Sequence, residues 1–358
     1  MMKHGVGTDG VRKDGVRKQW RRIIFLLMAL LFLASCQKQT LFEPMPPETT
    51  GLEFRNDILY NEDFNIYTYR NFYNGGGVAT GDLTGDGLPD IYVTGNMVPN
   101  KLFQNLGNFQ FQDITQQAGV AGQCAWTTGV SMVDINADGL LDLYVTCAGD
   151  MDDRRNELFI NLGNGTFSEQ AANYGLDDTG YSIAGTFFDY NRDGLPDLYL
   201  MNNDDVPINE FDLQNNLRSQ RHGPGGDRLF RNDGGHFTDV TESAGIYSSI
   251  IAFSLSATAS DFNQDGWPDL FVANDFFERD YLYLNNQDGT FSEIADSNTM
   301  RSMSAASMGA DIADMNNDGL PDIYVLDMLP ADDRRLKTIT TFESFDLFQD
   351  KVGWGYGH

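Results

Sequence analysis

Aspartate recurs in this chain of 358 residues at a fixed internal spacing. The segments read GDLTGDGLPDIYV at 81–93, VDINADGLLDLYV at 133–145, FDYNRDGLPDLYL at 188–200, SDFNQDGWPDLFV at 260–272 and ADMNNDGLPDIYV at 313–325. Counted from the first aspartate, oxygen-bearing side chains stand at positions 1, 3, 5 and 9. They are Asp82, Thr84, Asp86 and Asp90 in the first loop, and Asp134, Asn136, Asp138 and Asp142 in the second. The third has Asp189, Asn191, Asp193 and Asp197, the fourth Asp261, Asn263, Asp265 and Asp269, and the fifth Asp314, Asn316, Asp318 and Asp322. These are hard donors. With the position 7 carbonyl of Leu88, Leu140, Leu195, Trp267 or Leu320, they suit Ca²⁺, which takes about six to eight oxygens.

One such loop is also what an ordinary D-G hairpin turn looks like. Five copies with three aspartates in register predict about five calcium ions. Glycine at position 6 (Gly87, Gly139, Gly194, Gly266, Gly319) permits the tight turn. Proline at position 8 favours an extended residue at position 7, although the second loop has Leu141 there. An EF-hand would need a glutamate at position 12, where the first loop has Val93. Apolar sequence on both sides instead fits a loop between two strands. Thr84 offers a hydroxyl where the other loops offer an amide, which predicts a weaker first site. At about 1 mM Ca²⁺ and a Kd of ~0.1 mM, mass action gives ~1.4 kcal/mol per site, so the ions are read as structural.

The first aspartates are spaced 52, 55, 72 and 53 residues apart. Periods near ~50 residues indicate propellers or similar arrays. A small-residue stretch precedes each loop, and a run such as IYV follows it. Two more short strands then flank an Asn/Gly turn, as in ELFINLGNGTFSEQA at 157–171. The expected fold is all-β, a β-propeller of four-stranded blades with about four complete blades and a partial one. The long third spacing reflects an insertion at 202–227, with Arg218, Arg221 and His222, that is either a binding loop or a plain surface excursion. The fifth unit lacks its second motif, so the propeller is expected to be incomplete at its C-terminus.

The N-terminus carries the chain's one basic stretch. Residues 3–22 hold seven Lys and Arg, followed by an apolar run at 23–33 and then Ala34-Ser35-Cys36. That run is too short to span a bilayer and has the build of an export signal. L-A-S-C resembles the bacterial lipobox, which implies cleavage before Cys36 and acylation of its thiol. The expected organisation is a signal peptide at 1–35, a Pro-rich tether at 36–50 and the propeller at 51–358. Beyond residue 35, 50 acidic side chains oppose 17 basic ones, a formal charge of −33. Such a surface repels phosphate backbones and excludes nucleic acid as a partner; membrane contact is expected only through the lipid. Cys124 and Cys147 remain. If Val133 pairs with Leu143, the two sit too far apart to bridge unless the chain bends, and two buried thiols are expected.

The five loops and the N-x-G-x-F turns resemble the FG-GAP or VCBS repeats, the calcium-loop propellers related to the integrin α-subunit head. YRNFYNGGGVATGD at 69–82 is similar to the opening of Bacteroidota lipoproteins that join such repeats to an ASPIC/UnbV domain. The resemblance implies a calcium-stabilised propeller of about seven blades, of which this chain would be a fragment, usually with a recognition role. The expected function is a non-enzymatic binding, adhesion or protein-interaction scaffold of the cell envelope, on its periplasmic or surface face, with an unknown protein or glycan ligand. The alternative is a calcium-dependent polysaccharide lyase, for which His222 with Arg221 is the one cluster to test.

Overall fold

The computed structural model describes residues 41–149, 153–203, 217–275, 278–295 and 307–328. The chain divides into two units, residues 1–46 and 47–358. Of the first, residues 41–46 are described; they are exposed and carry no helix or strand. In the second, residues 47–50 form a single helical turn with Thr50 buried. The tether read from the sequence therefore ends in folded chain. The carbonyl of Thr49 accepts from Gln110 Nε2, in the first blade.

Four antiparallel sheets of four strands follow. The first comprises β1 (Val78–Gly81), β2 (Asp90–Val93), β3 (Lys101–Asn105) and β4 (Phe111–Asp113). The second comprises β5 (Thr127–Val133), β6 (Asp142–Cys147), β7 (Glu157–Asn161) and β8 (Phe167–Glu169). The third comprises β9 (Ser182–Phe188), β10 (Asp197–Asn202), β11 (Arg228–Asn232) and β12 (Phe237–Asp239). The fourth comprises β13 (Ser254–Ser260), β14 (Asp269–Asn274), β15 (Tyr281–Asn285) and β16 (Phe291–Glu293). A fifth sheet has β17 (Ser307–Ala313) and β18 (Asp322–Asp327). Strand order follows chain order in every sheet. These are propeller blades, four complete and one of two strands among the described residues.

Burial explains the sequence pattern. β6, β10 and β14 are buried at every residue. Strands apolar on both faces must lie between layers, and here the layers are the neighbouring blades. One apolar cluster joins Tyr92 and Leu102 to Leu143 and Phe159; the next joins Tyr144 and Leu158 to Leu198 and Phe230. A third joins Tyr199 and Leu229 to Leu270 and Tyr283. The core is thus a series of seams.

Each seam is also fastened by polar groups. The residue leading into the third strand of a blade is Asn100, Asn156, Asp227 or Asp280. Its Oδ1 accepts from the backbone N–H of Gly95, Cys147, Asn202 or Asn274 at the end of the second strand. The same side chain bonds a hydroxyl on the following blade: Thr127, Ser182, Ser254 or Ser307. A second fastening uses the turn asparagines. Asn161, Asn232 and Asn285 donate Nδ2–H to the carbonyls of Leu83, Ile135 and Tyr190 at 2.9, 3.2 and 2.7 Å. Those carbonyls belong to position 2 of the aspartate loop on the preceding blade.

The pairing of β5 with β6 corrects the sequence reading of the cysteines. Val133 pairs with Asp142 rather than Leu143, and the register shifts at a bulge between Thr127 and Val130. Thr127 consequently faces Cys147, and the chain before it bends at Gly122 (φ 75°). This brings the Cys124 thiol close enough to Cys147 to act on it. Cys147 is buried as expected, but Cys124 is only half-buried.

The turn joining the first two strands of each blade puts two residues in the left-handed region. Position 6 is always glycine, at φ 83–90°. Position 4 is Gly85, Ala137, Arg192, Gln264 or Asn317, at φ 60–76°. Nothing lies within 4 Å of a Cβ built on Gly139, so Gly139→Ala is expected to cost only the backbone term, about 1–2 kcal/mol. Ala137→Gly removes a comparable strain and loses about 0.5–1 kcal/mol to chain entropy, so it is expected to be neutral to stabilising by about 1 kcal/mol. Denaturant unfolding of the two variants checks the opposite signs.

Asp227 gives a pH-dependent test of the seams. Burial pushes its carboxyl up to about 6, against hydrogen bonds from Ser254, Asn202 and Tyr199. The folded state therefore holds this proton more tightly than the unfolded chain, whose aspartate titrates near ~3.9. Its contribution is present in full below about pH 4 and is lost as pH rises through about 6. The second blade uses Asn156 here, donating to Tyr144 Oη and Ser182 Oγ. Asp227→Asn is expected to gain about 1–3 kcal/mol over the parent at pH 8 and nothing near pH 4, read from paired denaturant curves.

Candidate metal centres

The five aspartate loops share one hydrogen-bond plan. The position 1 carboxylate, Asp82, Asp134, Asp189, Asp261 or Asp314, accepts through Oδ1 from the position 5 N–H at 3.0–3.1 Å. Its Oδ2 accepts from the position 6 glycine N–H at 2.8–2.9 Å. The position 5 carboxylate, Asp86, Asp138, Asp193, Asp265 or Asp318, accepts from the position 7 N–H at 2.8–2.9 Å. That bond fixes the backbone at Leu88, Leu140, Leu195, Trp267 and Leu320, whose carbonyls were the predicted fifth donors. Left-handed residues at positions 4 and 6 make this winding possible, because they turn consecutive N–H groups toward one carboxylate.

Position 3 completes the rim. Asn136, Asn191 and Asn263 accept from the position 5 N–H through Oδ1 and donate Nδ2–H to its Oδ2 at 2.8–3.0 Å. Thr84, half-buried, occupies this place in the first loop, and Asn316, exposed, in the fifth. The position 5 aspartates are exposed in all five loops. In the fourth, Gln287 Nε2 donates to Asp265 Oδ2 at 3.1 Å. There the Arg192 guanidinium of the third loop lies over the Trp267 ring, 5.4 Å from its centre.

Position 9 is different. Asp90, Asp142, Asp197 and Asp269 are completely buried. Each lies beneath its loop, with Oδ2 accepting from the position 2 N–H at 2.9–3.1 Å. Oδ1 accepts at 2.8 Å from the N–H of Asn105, Asn161, Asn232 or Asn285, the asparagine that opens the blade's second turn. Asp322 makes the first of these bonds, to Met315 N–H at 3.0 Å. Among the described residues, no three carboxylate, imidazole or thiol side chains close on one point as a ready cage.

The charges nonetheless feel one another. Burial pushes Asp142 up to about 6 and Asp197 to about 7, and repulsion from positions 5 and 1 of the same loop adds to it. Burial likewise raises Asp90 and Asp269, the latter with the same repulsion from Asp265 and Asp261. Each loop carries three carboxylates, and Arg192 in the third loop is the one basic side chain among positions 1 to 9 of the five loops. Every side-chain donor is oxygen, which fits a hard divalent cation and no thiophilic metal. In Asp142, Asp197 and Asp269 each carboxylate oxygen has one N–H bond and keeps a second lone pair, so position 9 remains able to ligate from below; Asp90 Oδ2 also accepts from Thr84 N–H at 3.0 Å and has only its Oδ1 so placed.

The other sequence candidates fall elsewhere. Arg221 pairs with Asp239, and His222 N–H donates to the Ser248 carbonyl at 2.7 Å. Arg218 meets Glu278, a fully buried carboxylate that burial pushes up to about 7. The described end of the insertion, residues 217–227, is therefore fastened to the third and fourth blades. Residues 204–216 and Cys36 with the whole of 1–35 lie outside the described residues.

Comparison with known proteins follows the same stretches. A family profile described as an FG-GAP-like repeat matches residues 82–145, 134–200, 219–272 and 261–325. Cartilage acidic protein 1 of Mus musculus is 32% identical over 164 residues, covering 41% of this chain and 24% of that protein. Its Homo sapiens counterpart is 31% identical over 163 residues, with the same coverage. The match thus spans about a quarter of the relatives' length. Among solved structures, an Agrocybe aegerita lectin described as recognising non-reducing terminal N-acetylglucosamine aligns with a TM-score of 0.42 at 20% identity, over 69% of this chain and 59% of that one. A chain of the Photorhabdus luminescens Tc holotoxin pore aligns with a TM-score of 0.32 at 18% identity, over 70% and 11%. The profile's matches run through residues 82–200 and 219–325, more than half of the chain and all five aspartate loops, and the protein belongs to the FG-GAP-like repeat family.

Proposed function

We propose that this protein is an exported, lipid-anchored propeller that binds about five Ca²⁺ in its aspartate loops and presents its blades to a protein or glycan ligand at the cell envelope. The observation that carries the calcium reading is the repeated winding of each loop around its position 1 carboxylate, beside an exposed carboxylate at position 5. Bound calcium would draw on the side-chain oxygens at positions 1, 3 and 5 and the position 7 carbonyl, with position 9 closing the sphere from below. Its charge would relieve the repulsion among three carboxylates, and its role is structural. Repeat membership supports a recognition scaffold. Export and the anchor rest on the basic N-terminus, the short apolar run and L-A-S-C ending at Cys36.

Thermal unfolding with Ca²⁺, with Mg²⁺ and after chelation tests the calcium reading. A calcium-selective rise in midpoint is expected, and Asp138→Ala should remove about one fifth of it while moving the chelated midpoint little. An unchanged midpoint in a folded protein would reduce the loops to plain turns. For the anchor, the chain expressed in a bacterial host is expected to incorporate labelled palmitate and to lose the label in Cys36→Ser.

A further inference from the structure

The second blade holds two thiols that neither the seams nor the loops use. Cys124 lies on the bend that enters β5, and Cys147 is the last residue of β6. Both are free. One corner of the blade brings them together. The Cys147 N–H donates to Asn156 Oδ1 at 2.8 Å, and the Gln123 N–H donates to Glu157 Oε1 at 2.6 Å. Alongside, the Ala148 N–H donates to the Trp126 carbonyl at 3.0 Å. The neighbours of both cysteines are therefore fixed: Thr127 faces Cys147 across the ladder, Cys124 stands three residues before Thr127, and the two thiols are close enough to act on each other. Their access differs. Cys147 is completely buried. Cys124 is half-buried and lines a surface cleft of about 250 Å³ together with Asp153, Glu157, Glu169 and Asp177.

We propose that Cys124 and Cys147 form an oxidation site that closes into an intramolecular disulfide by exchange with a small-molecule disulfide. The Cys124 thiolate, reached through the cleft, attacks one sulfur of the oxidant. The oxidant's S–S bond breaks and one thiolate leaves. The Cys147 thiolate then attacks the Cys124 sulfur, the mixed disulfide breaks, and the second thiolate leaves. Two cysteine thiols lose two electrons and two protons, and the oxidant gains both as two thiols. The order is set by burial, because no reagent reaches Cys147 first. Burial, contact with Cys124 and the nearby carboxylates Glu157 and Asp153 hold the Cys147 thiol high, so thiolate is scarce and closure is slow. The bond would close a loop of about two dozen residues. It would pin the start of β5 to the end of β6 where their ladder is interrupted by the bulge between Thr127 and Val130. The site depends on neither calcium nor the anchor.

The test is oxidation of the folded full chain with oxidised glutathione at fixed Ca²⁺, followed by peptide mapping without reduction. A linked peptide pair containing Cys124 and Cys147, two hydrogen masses lighter than the free peptides, is expected. The oxidised protein should unfold a few degrees higher than the reduced one. Cys147→Ser should stop at a stable glutathione adduct on Cys124, and Cys124→Ser should leave Cys147 unmodified. A persistent adduct on Cys124 in the parent chain, a link to Cys36 instead, or two unreacted thiols after prolonged oxidation would each overturn the proposal. Because calcium is held constant, failure here leaves the metal reading untouched, and the reverse also holds.

Discussion

The buried aspartate at the start of each second strand is the group on which the rest of a blade depends. Asp142 is the clearest case. One oxygen holds the aspartate loop through Ile135 N–H and the other holds the end of β7 through Asn161 N–H. One carboxylate therefore ties three chain segments whose backbone donors would otherwise be buried without acceptors. Burial raises its pKa, and the N–H bonds from Asn161 and Ile135 pull it back down, so the same bonds that tie the segments also favour the ionised carboxylate. Replacing it with an apolar residue would leave two buried N–H groups unmet.

From that anchor the structure propagates sideways. Asn161 receives its position from Asp142 and then reaches back to the Leu83 carbonyl in the loop of the first blade. Asn232 and Asn285 repeat the step at the next two seams. On the other side of the blade, Asn156 and Asp227 reach forward to hydroxyls of the following blade. Each blade thus grips one neighbour at the loop end and the other at the opposite end of its second strand. Apolar burial supplies most of the attraction at a seam but is indifferent to small slides. The paired polar contacts are directional, and they set the angle at which one blade meets the next.

Much of this was legible in the residues. A 13-residue signature repeated five times fixes the loops, and runs such as DLYV with no polar face require burial between layers. The turn asparagines were readable as turns, because Asn accepts from the N–H two residues on. Their second role was not readable, since it depends on a carbonyl 78–97 residues away in sequence. The left-handed conformation at position 4 was hidden for another reason. Only Gly85 advertises it, while Ala137, Arg192 and Gln264 adopt it because flanking bonds leave no alternative. The cysteine contact was missed through a one-residue error in register and a bulge, which together move Cys147 toward the bend holding Cys124.

The division of labour among the aspartates follows from the same geometry. Positions 1 and 5 sit on a rim wound by local N–H bonds, so their carboxylates stay near solvent and keep their charge cheaply. Position 9 is held by bonds to other segments and must be buried. A loop with all three on the rim would have no grip on the blade, and one with all three buried could not remain charged. The arrangement places exposed charge directly above buried charge, and repulsion between the two layers is the cost. In a cation-free loop that cost falls on the buried aspartate: burial raises Asp142 and Asp197 most, and repulsion from the two carboxylates above adds to it. Positive charge beside the rim, as in the calcium reading proposed above, would lower this cost while keeping both the grip on the blade and the exposed carboxylates.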